Sequence, residues 1–304
     1  MYTTTKNSLT VIVPLYNQAK FVLECLDSVK KINSVNQIQL IIIDDCSKDD
    51  SVDKVEEWLL HSDRDCEALD VNFIKNKKNI GVCAVLNLAL SLAKHEIIAL
   101  CAADDFFLSD SISYKVAKLR DSTYDALLSD VYIVNENSEI VLRNAYEGYF
   151  NANPKALKND ELLAGEIITN WCIPGPSLLI KKSTYQKIGN YNTNLVVEDR
   201  DFYLRLFRDC SVTFDFEPIA AYRVHSTNIS KESEFRKKMN NEIKKTNVFY
   251  SSSWKGFNRW YLLSYSLGSG HGKFSPKFAN LIGRLLRALI RTCFKIKVLI
   301  SNEK

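Results

Sequence analysis

Two apolar runs in the first third of the chain end on carboxylates. Leu40-Ile41-Ile42-Ile43 stops on Asp44-Asp45, and Ile97-Ile98-Ala99-Leu100-Cys101 leads through Ala102-Ala103 to Asp104-Asp105. Runs this short and this apolar read as strands buried on both faces, the pattern of a parallel sheet covered by helices. Two such strands tipped with acidic pairs gather negative charge at the carboxyl edge of the sheet, where open α/β folds take their ligands. An adjacent carboxylate pair at such an edge can hold a divalent cation. Packing alone gives no reason to use the same edge twice.

The segments between these runs keep the helical period. Residues 9–14 read as a strand, and 19–31 as a helix carrying Phe21, Val22, Cys25, Leu26 and Val29 on one face. Residues 38–43 are the next strand, Ser47 or Asp49 caps a helix running to 60, and 71–74 form a third strand. A helix over 82–93 precedes the strand at 96–101. This alternation predicts parallel strands joined by right-handed helical crossovers, a Rossmann-like nucleotide-binding half. Beyond Asp105 a helix spans 109–119, and residues 125–134 and 140–143 flank Asn135-Glu136-Asn137-Ser138 as a hairpin, so the central sheet becomes mixed. Pro174-Gly175-Pro176 marks an irregular loop before a strand at 177–180. Gly189 ends a short helix, and Glu198 opens another that runs to 207.

The 304 residues suffice for a large core, and 46% hydrophobic with 25% charged residues excludes disorder. The eight cysteines lie scattered without CxxC pairs, which favours reduced thiols in a cytoplasmic protein over a disulfide scaffold or zinc site. Neither a secretory leader nor an apolar stretch long enough to span a bilayer is evident. The net charge is only +4, yet residues 271–304 hold eight Lys or Arg against one acidic residue, a balance of 8 − 1 = +7 that leaves 4 − 7 = −3 for the rest. Within that tail Arg284, Arg287, Arg291 and Lys295 recur at helical spacing among Leu281, Ile282, Leu285, Leu289, Ile290 and Phe294. Such a helix can lie on an anionic membrane, pack on the preceding domain or pair with a second copy. It lacks the interleaved stacking aromatics of a nucleic-acid binder.

Pro14-Leu15-Tyr16-Asn17, Asp44-Asp45-Cys46-Ser47, Asn79-Ile80-Gly81, Asp104-Asp105, Glu198-Asp199 and the stretch from Tyr222-Arg223-Val224-His225 to Ser230 occur in one order. As a set, in order and spacing, they resemble the inverting glycosyltransferases of family 2, which have the GT-A fold. The resemblance covers residues 9–230. It implies a catalytic domain over 1–230, with a donor half at about 1–106 and an acceptor half at about 107–230, followed by a helical basic extension over 231–304. It further implies transfer of a hexose or N-acetylhexosamine from a UDP-sugar to a hydroxyl of a glycan or lipid-linked glycan, with Mn²⁺ or Mg²⁺. The expected setting is surface polysaccharide synthesis, such as O-antigen or capsule, in the cytoplasm or at the inner face of the plasma membrane.

Carried over position by position, the resemblance makes Asp105 the direct metal ligand, with Asp104 facing the ribose or binding through water. His225 ligates the metal, donates to a phosphate or pairs with a backbone carbonyl in the loop. Asp45, an acceptor-only group when ionised, suits the N3–H of uracil, while Pro14, Tyr16 and Asn17 shape the base slot and Asn79 and Gly81 form the adjoining loop. Asp199 is the expected base, kept ionised by the start of its helix, with Glu198 beside it as an orienting or acceptor-binding group. Trp171 offers a face for an acceptor sugar, or is core. Purely structural readings accompany these: acidic pairs cap helices, Asp44 above all, and Glu198-Asp199 can act as first-turn charges. Many members carry another Asp where this chain has Ala102, which shortens the acidic motif and leaves a rival reading, a sugar-nucleotide-binding protein without turnover. A nicotinamide-dependent enzyme is excluded because the first strand leads to no glycine-rich turn.

Overall fold

The computed structural model describes residues 7–32, 35, 37–62, 69–226, 233–268 and 276–301. The expected boundary at 230/231 and residues 227–230 of the closing motif lie outside the described residues. Four parallel strands and their crossovers open the chain: β1 (Ser8–Leu15), α1 (Val22–Lys30), β2 (Gln37–Asp44), α2 (Ser51–Ser62), β3 (Leu69–Lys75), α3 (Val82–Leu92) and β4 (Ile97–Leu100). The second half continues with β5 (Phe106–Phe107), α4 (Ser109–Arg120), β6 (Ala126–Val134), β7 (Ile140–Leu142), α5 (Pro154–Leu157), α6 (Asp160–Thr169), β8 (Leu178–Lys181), α7 (Lys182–Ile188), α8 (Asp199–Asp209) and β9 (Val212–Arg223). Three helices close it: α9 (Ser233–Tyr250), α10 (Gly256–Leu263) and α11 (Pro276–Ser301).

The strands form one mixed sheet in the order β3-β2-β1-β4-β8-β6-β9-β5, with β7 paired to β6. β1 lies between β2 and β4, so the chain leaves it in opposite directions, and the crevice at this switch point is where a ligand enters. β8 runs antiparallel to both β4 and β6, while β6 and β9 are parallel, which makes the sheet mixed as expected.

Alternation along the strands feeds two cores. Leu9, Val11, Val13 and Leu15 of β1, with Leu40 and Ile42 of β2, meet α1, α2 and α4 on one face. Ile12, Ile41 and Ile43 meet α3, α6, α7 and α8 on the other. Buried inside β2, Gln39 is satisfied throughout. Its oxygen accepts from Thr10 Oγ1 at 3.0 Å and from the Lys94 amide at 2.8 Å, and its nitrogen donates to Asn72 and to the Leu92 carbonyl. This fastens β1, β2 and β3 to the end of α3, as a buried amide requires.

The basic helix α11 is seated on the domain. Ile290, Phe294 and Val298 are buried, the latter two against Ala156 of α5 and Leu162 of α6. Gly165 of α6 is the landing point: a Cβ there would sit 2.3 Å from the Phe294 ring, so only glycine admits it. Of the three settings open to this helix, packing on the preceding domain accounts for one face. The seven cysteines among the described residues are all free.

Candidate active site

The ends of β1, β2 and β4 open onto a cavity of about 800 Å³. Pro14 and Tyr16 line it from β1, Asp45 from β2, Asn79 and Gly81 from the turn before α3, and Ala102, Ala103 and Asp104 from the end of β4. The opposite wall is the segment 193–199, ending on Glu198 and Asp199, and Phe235, Lys238 and Met239 of α9 close it.

The acidic pair of β2 divides its work. Asp44 accepts from the amides of Cys46 and Ser47 at 3.1 Å, holding Cys46 in a left-handed conformation at φ +67° that side chains seldom adopt. Asp45 accepts from the Ile80 and Gly81 amides, both at 2.8 Å, and from the Asn76 side chain at 3.0 Å. Its carboxylate therefore shapes the 76–81 turn, and an acceptor site remains for a ligand N–H. Gly81 takes φ +84°, which glycine allows without strain, where α3 begins. Asn17 does not line the cavity. Its amide donates to Ser47 Oγ at 2.9 Å and its side-chain oxygen accepts from the Lys48 amide at 2.7 Å, so it ties the β1 loop to the β2 loop.

At the end of β4 the two carboxylates turn opposite ways. Asp104 faces the cavity, with His225 Nε2 at 3.0 Å from its Oδ2. Asp105 is 2% exposed, and its Oδ1 accepts from the Arg223 amide at 2.8 Å. Burial, reinforced by the charge of Asp104, holds the Asp105 carboxyl well above the usual carboxylate range. It is therefore Asp104 that faces the cavity, where the expectation had Asp105 reach a metal directly. The tight turn after β4, closed by the Asp105 amide donating to the Ala102 carbonyl at 2.9 Å, presents only one of two neighbouring side chains to the edge, and here it is Asp104. Arg223 locks this turn. Its guanidinium donates to the Asp104 carbonyl at 2.8 Å, to Ser138 Oγ and the Asn135 carbonyl, and to Glu24, while lying over the Phe21 ring.

Asp104 and His225 form a mixed oxygen and nitrogen pair of a kind Mn²⁺ or Mg²⁺ accepts. The described residues hold no group of three or more His, Cys, Asp or Glu around one point. A cation at this pair would need further ligands from outside the described residues.

α8 starts at Asp199, with Glu198 immediately before it. Although both face the cavity, surrounding protein strips most water from them. Burial first, then the charge of Glu198, raises the Asp199 carboxyl well above its usual range, and burial raises Glu198 as well. The helix start was expected to keep Asp199 ionised; desolvation and a like charge outweigh the dipole here. The helix is anchored by Arg205, which pairs with Asp201 at 2.7 Å and donates to the carbonyls of Gly189 and Asn190. Tyr250 of α9 also donates to Asp201, at 3.0 Å.

Trp171 lies outside this cavity. It packs edge-on against Tyr203 and lines a separate cavity beneath α9 and α11. Sequence reasoning missed segment 193–197 and the α9 side chains Phe235, Lys238 and Met239. Only the chain's return over the sheet brings them to the edge, and no local pattern marks that return.

The family model described as glycosyl transferase family 2 matches residues 10–173, more than half of the chain. This chain belongs to that family. Its relatives include an uncharacterized glycosyltransferase of Rickettsia typhi, 25% identical over 252 residues that cover 82% of this chain and 71% of that one. The glycosyltransferase GlyG of Streptococcus pneumoniae is 24% identical over 129 residues, 42% of this chain and 40% of GlyG. Among solved structures, residues 1–349 of S. aureus TarS superpose with TM-score 0.61 at 17% identity, over 86% of this chain and 71% of that one. A complex of the same TarS fragment with UDP-GlcNAc gives the same score. The mannosyltransferase PcManGT of Pyrobaculum calidifontis, with GDP-Man and Mn²⁺, gives TM-score 0.59 at 14% identity, over 97% of this chain and 86% of that one. These likenesses establish the GT-A fold, and family membership makes the chain a glycosyltransferase.

Proposed function

We propose that this family 2 enzyme transfers a hexose or N-acetylhexosamine from a UDP-sugar to a hydroxyl of a glycan or lipid-linked glycan, with inversion at the anomeric carbon. The observation that carries the reading is the convergence of Asp45, Asp104 and Asp199 on one cavity at the sheet's switch point, with the buried His225 ring against Asp104 from behind. Asp45 reads the base, consistent with an acceptor-only carboxylate against an N–H, while Tyr16 and Pro14 shape the slot and Asn79 borders it. Asp104 and His225 would hold Mn²⁺ or Mg²⁺ with the donor's diphosphate, and the bound cation supplies charge neutralisation of that leaving group. Lys238 at the cavity wall adds a positive charge from α9. Asp199 takes the proton of the acceptor hydroxyl as its oxygen bonds to the anomeric carbon and the bond to the diphosphate breaks, and Glu198 orients it. UDP crystallises with TarS, a protein of this fold, which supports the uridine assignment.

The direct test is release of UDP from a panel of UDP-sugars mixed with Mn²⁺ and glycan or lipid-linked glycan acceptors. Turnover with GDP-sugars alone, or turnover that survives Asp199→Asn, would sink the assignment.

α11 adds a membrane contact to this reading. Its 26 residues carry six Lys or Arg and no acidic residue. Opposite the face buried on α6, Leu281, Leu285, Leu289, Ile296, Leu299 and Ile300 form an exposed stripe, with Leu285 and Leu289 62% and 60% exposed. Exposed Arg284 and Lys295 run along one side of the stripe and Lys297 along the other. Leucines flanked by cations match an anionic bilayer surface, where the apolar side sinks into the headgroup boundary. Among the described residues no helix is long and apolar enough to cross a membrane.

A further inference from the structure

The residue after the candidate base, Arg200, turns to the other side of α8. It is 4% exposed, and every contact it makes is with a neutral group. Nε donates to the Asn247 side chain at 2.7 Å, Nη2 donates to the Ile168 carbonyl at 3.0 Å, and the guanidinium lies 4.9 Å from the centre of the Trp171 ring. Nη1 is buried with no hydrogen-bond partner among the described residues. A guanidinium drawn out of water without a carboxylate is unfavourable, and burial lowers its pKa to about 10. A native chain keeps such a group where something else supplies the negative charge.

Arg200 borders a cavity of about 460 Å³, separate from the donor cavity, to which Lys244 of α9 and Arg287 of α11 contribute further cations. Tyr261, Tyr265 and Trp171 supply aromatic walls, and Arg287 lies over Tyr265 at 4.2 Å. No Asp or Glu is among the described lining residues. Three cations around a void without a counter-charge select an oxyanion, and the fork of a guanidinium matches phosphate oxygens. The volume exceeds the need of a bare phosphate, and aromatic walls suit the apolar face of a sugar ring.

We propose that this second cavity binds a phosphorylated saccharide, its phosphate against Arg200 Nη1, Arg287 and Lys244 and its sugar against the tyrosines. The cavity shares no lining residue with the donor cavity, so the assignment does not depend on the donor being a UDP-sugar. The phosphate can belong to a glycan acceptor or to a free metabolite, and the chemistry of recognition is the same.

The test is thermal unfolding of the full chain with EDTA and saturating UDP, so that added phosphate has no metal and no vacant donor cavity to use. Glucose 6-phosphate is expected to raise the Tm by several degrees, inorganic phosphate by less, and glucose not at all. Arg200→Met is expected to leave the ligand-free Tm unchanged or higher, because an unpaired buried charge is gone, and to abolish the shift. Arg287→Gln, at a partly exposed position, carries the same test should Arg200→Met fail to fold, and is expected to weaken glucose 6-phosphate binding about tenfold or more. Asp199→Asn is expected to retain the shift. Absence of any shift, or a shift in Arg287→Gln as large as in the unmodified chain at a glucose 6-phosphate concentration that half-saturates the latter, overturns the proposal; equal shifts from inorganic phosphate and glucose 6-phosphate overturn its saccharide part. With glucose 6-phosphate bound, loss of turnover onto a phosphorylated acceptor but not a neutral one identifies the acceptor as the source.

Discussion

As the proposed base, Asp199 is placed under two opposing demands. To accept a proton it must ionise, yet burial and Glu198 hold its carboxyl above the usual range. A base with a raised pKa is the stronger for it, provided the working pH lies above that pKa. The rate is therefore expected to climb with pH through the raised pKa of the pair, read as kcat/KM across a buffer series. Asp199→Asn is expected to lower kcat by about 10²–10⁴-fold with little change in donor KM. The same substitution bears on stability with a definite sign. The native state holds this proton more tightly than the unfolded chain, so the gain is fully present below the unfolded pKa and is lost as pH rises through the folded one. Asp199→Asn should consequently raise the Tm near neutral pH and cease to do so at about pH 4, a calorimetric comparison at two pH values. Asp104 and Asp105 divide similarly. Asp104→Ala is expected to remove Mn²⁺-dependent donor binding while leaving the fold intact. Asp105→Ala leaves the Arg223 amide without its acceptor at a cost of about 1–3 kcal/mol, whereas Asp105→Asn, which preserves an acceptor, should cost less. Sequence alone could mark this acidic pair as a site, but not tell which neighbour faces out, because that depends on the turn Arg223 locks from the far end of β9.

Among elements, those whose apolar runs are uninterrupted were legible to within a residue or two. β1, β2, α3 and α4 stand where their periodicity placed them. β9, the longest strand, escaped notice because Glu217-Pro218 breaks its alternation, and the register against β6 shifts between Ser129 and Val131 as a result. α6 escaped for another reason. Buried on nearly every side by the sheet, α10 and α11, it shows no one-sided stripe to read. The turn that Asp45 supports gives a test at this scale. Nothing lies within 4 Å of a Cβ placed on Gly81, so Gly81→Ala meets only backbone strain at φ +84°. A loss of about 1–3 kcal/mol is expected, accompanied by weaker UDP binding in titration calorimetry as the 76–81 turn shifts.

For the whole molecule, the C-terminal helices complete what the sheet begins: α9 closes the cavity at the sheet edge and α11 presents its leucine stripe away from α6. Replacing Leu285 and Leu289 together by Glu is expected to abolish sedimentation with vesicles containing anionic lipid. Turnover on a soluble acceptor should be unaffected. In the unmodified chain the binding should weaken as salt is raised, since the cations beside the stripe are exposed and screened.

The seating of Phe294 on Gly165 bears on how this protein is handled as a reagent. The greasy basic helix at its end invites removal to improve solubility, yet it behaves as a keystone. Phe294→Ala should cost about 3–5 kcal/mol in urea unfolding, and shortening the chain before residue 276 should cost at least as much while stripping Arg287 from the second cavity. Polishing the outward leucines, and leaving the helix in place, is the edit that the architecture tolerates.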